Sequence, residues 1–177
     1  MAGDLPPRQG LYDPRNEHDS CGVSFVCDIH GRATHDTVMK GIGALCNMEH
    51  RGAQGADINT GDGAGILIQV PDRFYRDVLP FDLPPKGEYA TGIAFLPQDA
   101  AVAMVAAEAV ERILDEEGLE VLGWRNVAVD ESMLGSASLM TMPTFRQVFV
   151  RGVDAQGEPL SGAALDRPAF IARKRIE

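Results

Sequence analysis

The chain has 177 residues, a length that fits one domain able to bury about two thirds of its unfolded surface. With 26 acidic against 16 basic residues and a net charge of −10, it lacks the basic excess that nucleic acid and anionic membrane surfaces reward. Its longest apolar run, residues 100–107, is far too short for a membrane span, and residues 1–10 lack the apolar core of a signal peptide. A cytoplasmic protein without nucleic-acid or membrane partners is the expectation.

Three cysteines, an odd number, show no Cys-x-x-Cys spacing. Thiols in a reducing compartment fit this better than a zinc site or a redox pair. In chain order, residues 1–20 read as an extended leader, because Pro6, Pro7, Gly10 and Pro14 stop any helix. Residues 22–29 are rich in β-formers and predict a strand, with a turn at His30 and Gly31. Thr34 or Asp36 caps a helix to about Met48 that carries Val38, Ile42, Leu45 and Cys46 on one face. Gly41 and Gly43 weaken that helix by about 1 kcal/mol each relative to Ala and suit close approach to a sheet.

Residues 51–63 are too glycine-rich for a regular element. Residues 64–70 form a near-continuous apolar run, which predicts a strand buried on both faces. Asp72 is placed to cap a short helix to Leu79, followed by a loop over residues 80–87 and a strand over residues 90–96. Residues 99–117 give the clearest helix, with Val102, Val105, Ala106, Ala109, Val110 and Ile113 at helical spacing and Gly118 as its stop. Residues 119–129 and 144–150 predict strands. Residues 152–162 predict a loop, and Asp166 with Pro168 marks a helix start. That helix runs to Glu177 in mid-pattern, which reads as a domain continuing beyond this chain.

The chemistry centres on Cys21, which ends the polar leader and opens an apolar run. If the Ser20–Cys21 bond is cut, Cys21 carries a thiol with an ordinary pKa of about 8.5 and an α-amine of about 7.7–8.0. An amine in that range takes the thiol proton near neutral pH without a histidine, the N-terminal variant of nucleophile-plus-base catalysis. Taken on the Cys-Gly dipeptide alone, a small packed thiol is the commoner state.

The neighbouring segments reverse that weighting. Glu17-His-Asp-Ser-Cys-Gly-Val23 resembles the processing junction of glutamate synthase large subunits. Four more segments agree with that family in order and spacing. They are Leu45-Cys-Asn-Met-Glu-His-Arg-Gly-Ala-Gln-Gly-Ala-Asp57, Thr60-Gly-Asp-Gly-Ala-Gly-Ile-Leu-Ile-Gln-Val-Pro71, Pro143-Thr-Phe-Arg-Gln-Val-Phe149 and Ile171-Ala-Arg-Lys-Arg-Ile-Glu177. The similarity runs from about Leu11 to Glu177.

The resemblance implies a removable leader over residues 1–20. Residues 21–177 then form the N-terminal portion of a class II glutamine amidotransferase domain. Its implied fold is α/β (α+β), an incomplete αββα four-layer sandwich of the N-terminal-nucleophile hydrolase type. The implied substrate is glutamine, attacked by the Cys21 thiolate to give a γ-glutamyl thioester and ammonia, which combines with 2-oxoglutarate at a distant synthase site. FMN and an iron–sulfur cluster are implied for the full-length enzyme, and no cofactor or metal for these residues. The implied partners are the rest of the large subunit and a small NADPH-oxidising flavoprotein subunit.

The family's oxyanion-hole Asn-Gly pair does not occur here: Asn16, Asn47, Asn59 and Asn126 precede Glu, Met, Thr and Val. Activity of these residues alone is therefore not expected. A non-catalytic interaction module, and an N-terminal-nucleophile amidotransferase of another pathway, remain the alternative readings.

Among the other candidates, Arg51 sits in Glu49-His-Arg51, where a guanidinium suits either a substrate carboxylate or a loop-holding salt bridge. The segment 61–65 has the glycines of a phosphate loop but precedes a strand, so a turn is the better reading. Arg173, Lys174 and Arg175 read as a solvated helix face. Cys27 and Cys46 read as packed core thiols. His18, His30, His35 and His50 show no catalytic spacing.

Overall fold

A computed structural model describes residues 8–10, 22–48 and 63–177. The chain divides into two compact units, one of residues 1–69 with 133–138 and one of residues 70–132 with 139–177.

In the first unit, α1 spans His35–Asn47, and the Thr34 side chain caps it by accepting from the Thr37 amide. The carboxylate of Asp28 organises the preceding turn. It accepts from the amide of His30 at 2.7 Å and from Nε and Nη2 of Arg32 at 3.2 and 3.0 Å. Gly31 turns the chain at φ +70°. Residues 22–29 and 64–70, expected as strands, carry no strand pairing, and Val23 and Leu67 are 94% and 99% exposed. An extended segment becomes a strand only when a neighbour takes up its amides and carbonyls. Among the described residues these two segments have no such neighbour, so the expectation of a strand buried on both faces is corrected.

The second unit holds α2 (Asp72–Val78), β1 (Ala90–Leu96), α3 (Ala100–Glu116), β2 (Leu119–Asn126), β3 (Thr144–Gly152) and α5 (Ala163–Ile176), with α4 (Ser136–Thr141) running into it before β3. The sheet order is β1-β3-β2, and both pairings are antiparallel. Alternation sends Val148 and Val150 of β3 to one face and Gln147 and Phe149 to the other.

On the first face, Val148 and Val150 pack with Val110 and Leu114 of α3 and with Leu165 and Ala172 of α5. On the second, Phe149 packs with Tyr75 of α2 and with Leu83 and Tyr89 of the loop between α2 and β1. Tyr75 and Phe81 meet the Phe149 ring edge-on at 5.0 and 5.8 Å.

Several expectations shift in detail. Asp72 does not cap α2: Pro71 holds that position without a side-chain bond. Asp72 instead pairs with Arg76 and accepts from the Tyr89 hydroxyl at 3.0 Å. Arg76 in turn donates to the carbonyls of Leu83 and Pro84, which fastens the loop to the helix. β2 is shorter than expected and bulges between Val121 and Gly123.

α5 begins at Ala163, behind Gly162 at φ +52°, and carries Pro168 inside. A proline in the second turn removes one helical hydrogen bond but does not set the start, which the left-handed glycine does. α3 is rotated from its expected phase. Ala103, Ala107, Val110 and Leu114 are buried, while Val102 and Val105 are 53% and 63% exposed. The small alanines let the helix lie close against Ala94 and Leu96 of β1.

Candidate functional site

Two of the sequence candidates, Cys21 and Arg51, lie outside the described residues, as do His18 and His50. What is described is the ground beside Cys21. A Cβ built on Gly22 would come within 2.8 Å of Sδ of Met48, the C-cap residue of α1. A side chain on the residue after the candidate nucleophile would therefore press on the Met48 side chain. On the same helix, a Cβ on Gly41 would meet Cδ1 of Ile66 at 3.0 Å. Gly41 thus approaches the unpaired segment that holds Ile66 and not the sheet expected, and Gly43 has nothing within 4 Å.

Cys27 and Cys46, expected as core thiols, are both exposed. α1 has no buried residue. Nothing among the described residues covers the faces that carry the two thiols, and the core-thiol reading is corrected. Asp28, next to Cys27, has its carboxyl held below the ordinary range, first by the Arg32 side chain and then by the His30 amide. Of the glycine-rich segment, residues 63–70 are described and are not helical. The next helix starts only at Asp72, so the strand–loop–helix order of a phosphate loop is not present there.

The basic run on α5 is exposed, as expected, but each of its cations is paired. Arg173 and Lys174 bind Glu177. Arg175 binds Glu117 at 2.6 Å and also Glu116, which ties α5 to the C-terminal end of α3.

One constellation was not singled out from sequence. Gln147 is the buried polar side chain of the second unit's core, 3% exposed. Its Nε2 donates to the Tyr75 hydroxyl, and its Oε1 accepts from Nε of Arg125, both at 2.8 Å. The Arg125 guanidinium lies 5.4 Å from the ring centroids of Phe74 and Tyr75. The available signal was an arginine and a glutamine at interior positions of two strands of mixed apolar and polar composition. A buried amide needs partners, and two strands facing one another supply them.

Comparison with known proteins places the whole of residues 21–177 on the family described as "Glutamine amidotransferases class-II". The chain is 37% identical over 174 residues to the glutamate synthase (NADPH) large chain of Bacillus subtilis, covering 98% of this chain and 11% of that one. It is 40% identical over 180 residues to the glutamate synthase (NADH) of Schizosaccharomyces pombe, covering 98% and 8%. Against the ferredoxin-dependent glutamate synthase 1, chloroplastic/mitochondrial, of Arabidopsis thaliana it is 36% identical over 178 residues, covering 97% and 10%. The chain thus spans about a tenth of the length of these curated relatives.

Proposed function

The chain belongs to the class II glutamine amidotransferases, and from that premise we propose that it carries the nucleophile of a glutamine-hydrolysing domain of the glutamate synthase type. The observation that carries this reading is the position of Cys21, which is both the first residue matched by the family and the cysteine that follows the polar leader. Residues 1–20 are a leader whose removal frees the Cys21 amine. Residues 21–177 are the N-terminal portion of a larger αββα sandwich.

The chemistry follows from the two groups that Cys21 then presents. The α-amine takes the thiol proton, and the thiolate attacks the side-chain amide carbon of glutamine. The carbon–nitrogen bond breaks as the protonated amine returns its proton to the departing nitrogen, giving ammonia and a γ-glutamyl thioester. Water, deprotonated by the same amine, cleaves the thioester to glutamate and restores the thiol. Arg51 is the candidate for holding a substrate carboxylate through its planar fork.

The missing Asn-Gly pair bears on rate. Loss of even one oxyanion donor costs about 10²–10³, so residues 1–177 alone do not turn over glutamine at an enzymatic rate. The ammonia serves glutamate formation from 2-oxoglutarate on the rest of a large subunit, where FMN and an iron–sulfur cluster belong. The relatives are named for NADPH, NADH and ferredoxin, so similarity over these residues does not select the electron donor. An NADPH donor would bring the small flavoprotein subunit as partner. No helix among the described residues is long and apolar enough to cross a membrane; the cytoplasm is the proposed site of action.

Intact-mass measurement on the gene product purified from its own cells tests the reading. The expected species has lost residues 1–20 and starts at Cys21. An active glutaminase with an uncut N-terminus would overturn the amine-as-base mechanism.

A further inference from the structure

We propose, on the reading of Cys21 as the attacking thiol, that Met48 is a positioning residue for it: the Met48 side chain is the backstop against which the chain rests at Gly22. A Cβ built on Gly22 would lie 2.8 Å from Sδ, 3.3 Å from Cγ and 3.4 Å from Cβ of Met48. The last two distances involve the root of the side chain, which rotation of the thioether does not move. That root is fixed by the helix it ends. Met48 is the C-cap of α1, and its amide donates to the carbonyl of Leu45 at 3.1 Å.

The path from Gly22 to Met48 is held at each bend. The Asp28 carboxylate gathers the His30 amide and the Arg32 side chain, and Thr34 caps α1, which brings the chain back to Gly22. Along α1 the half-buried positions Val38, Gly41, Leu45 and Met48 recur every three or four residues and form one face. Ile66 approaches that face at Gly41, and Gly22 approaches it at Met48. Arg51, the candidate carboxylate ligand, follows Met48 by three positions in the sequence. One side chain thus supports the residue joined to the nucleophile and stands at the start of the segment that carries the candidate substrate ligand.

Attack on an amide carbon requires the reacting atoms about 3–3.5 Å apart and aligned, and a misplacement of about 1 Å costs about 10²-fold in rate. Gly22 is joined to Cys21 through one planar peptide unit, so a displacement of Gly22 passes to the nucleophile. Met48 acts through Gly22, and its effect belongs in kcat more than in KM.

Kinetics of the complete enzyme test this, with kcat counted per Cys21 site titrated to completion by a glutamine-analogue diazo ketone. A merely structural role lowers the number of labelled sites, whereas a positioning role lowers the rate at each one. Met48→Ala is expected to reduce glutamine-dependent kcat per site about tenfold or more, with KM changed less than about threefold. Met48→Val, a smaller step, replaces it if no site is labelled. Met48→Leu, a volume-conserving change, is expected to keep kcat per site within about threefold. Synthesis from free ammonia should stay native in all of them.

Gly22→Ala applies pressure from the other side. For a displacement of about 1 Å it is expected to cost about 10²-fold in kcat per site. Adding Met48→Ala gives the new methyl room and should regain about tenfold. Intact mass reports whether each variant starts at Cys21. If Gly22→Ala is left uncut, the Met48 variants, remote from the junction, decide alone. The proposal is overturned if Met48→Ala has the native rate per site, if Met48→Leu is as slow as Met48→Ala, or if the processed double variant is no faster than Gly22→Ala. Failure of the Cys21 reading shows separately, as glutamine turnover that survives Cys21→Ala.

Discussion

Gly123 offers a quantitative test of how the second unit is packed. It lies in β2 just past the bulge, and it is not among the glycines with positive φ. Its backbone therefore accepts any L-residue. On that ground Gly123→Ala should stabilise by about 0.4–1 kcal/mol, because alanine has less freedom to lose on folding. The neighbour decides otherwise. A Cβ at this position would fall 2.5 Å from Cε1 and 2.8 Å from Cδ1 and Cζ of the Phe81 ring.

The ring cannot swing aside freely, because it packs edge-on against the fully buried Phe149. Overpacking of this kind costs about 1–3 kcal/mol, so the net expectation is a loss of roughly 1–2 kcal/mol. Urea unfolding followed by circular dichroism should show a midpoint lowered by roughly 0.5–1 M for a slope of about 2 kcal/mol/M. The cycle with Phe81→Ala isolates the cause. Once the ring is gone, Gly123→Ala should become neutral or stabilising, a coupling of roughly 1.5–3 kcal/mol. An equal penalty in both backgrounds would refute the steric argument and put the cost in the backbone of the bulge.

Other consequences are more direct. In the complete enzyme, Cys21→Ala should abolish glutamine-dependent glutamate formation and spare synthesis from free ammonia, as read by chromatographic assay of both reactions on one preparation. Asp99→Ala removes the side chain that accepts from the amides of Ala101 and Val102 and should cost about 1 kcal/mol in thermal or urea unfolding. Asp72 has its carboxyl held below the ordinary range, chiefly by the Arg76 side chain and secondarily by the Tyr89 hydroxyl. A depressed folded value means that its stabilisation is complete above the unfolded pKa of about 3.9 and is lost as pH falls below it towards the folded value. Asp72→Asn should therefore flatten the acid limb of the stability profile, and an unchanged limb would count against the ion pair. Cys46 is exposed on a helix without buried residues, so Cys46→Ala should change stability by less than about 0.5 kcal/mol.

Local chemistry was legible in part where it closes within a few residues, although the cap of α2 and the start of α5 were misplaced. The Thr34 cap of α1 and the Gly118 stop of α3 follow from a side chain that reaches its own backbone and from glycine at a positive φ. The family resemblance was legible for a related reason: Cys21 and the glycine-rich segments after it form a sequential signature that needs no folding to be seen. That signature says nothing of how Cys21 and Arg51 are placed in space.

What depends on distant residues was decided only by the tertiary structure. The periodicity of α3 is real, but its phase was set by Ala94 and Leu96 of β1, which favour small Ala103 and Ala107 over Val102 and Val105. Residues 22–29 and 64–70 have strand composition. Composition cannot supply the neighbouring strand that a ladder requires, and burial of Cys27 fails for the same reason. The row of Arg125, Gln147 and Tyr75 joins residues up to 72 positions apart. Only the antiparallel register of β2 on β3, beneath α2, turns three scattered polar side chains into one oriented guanidinium.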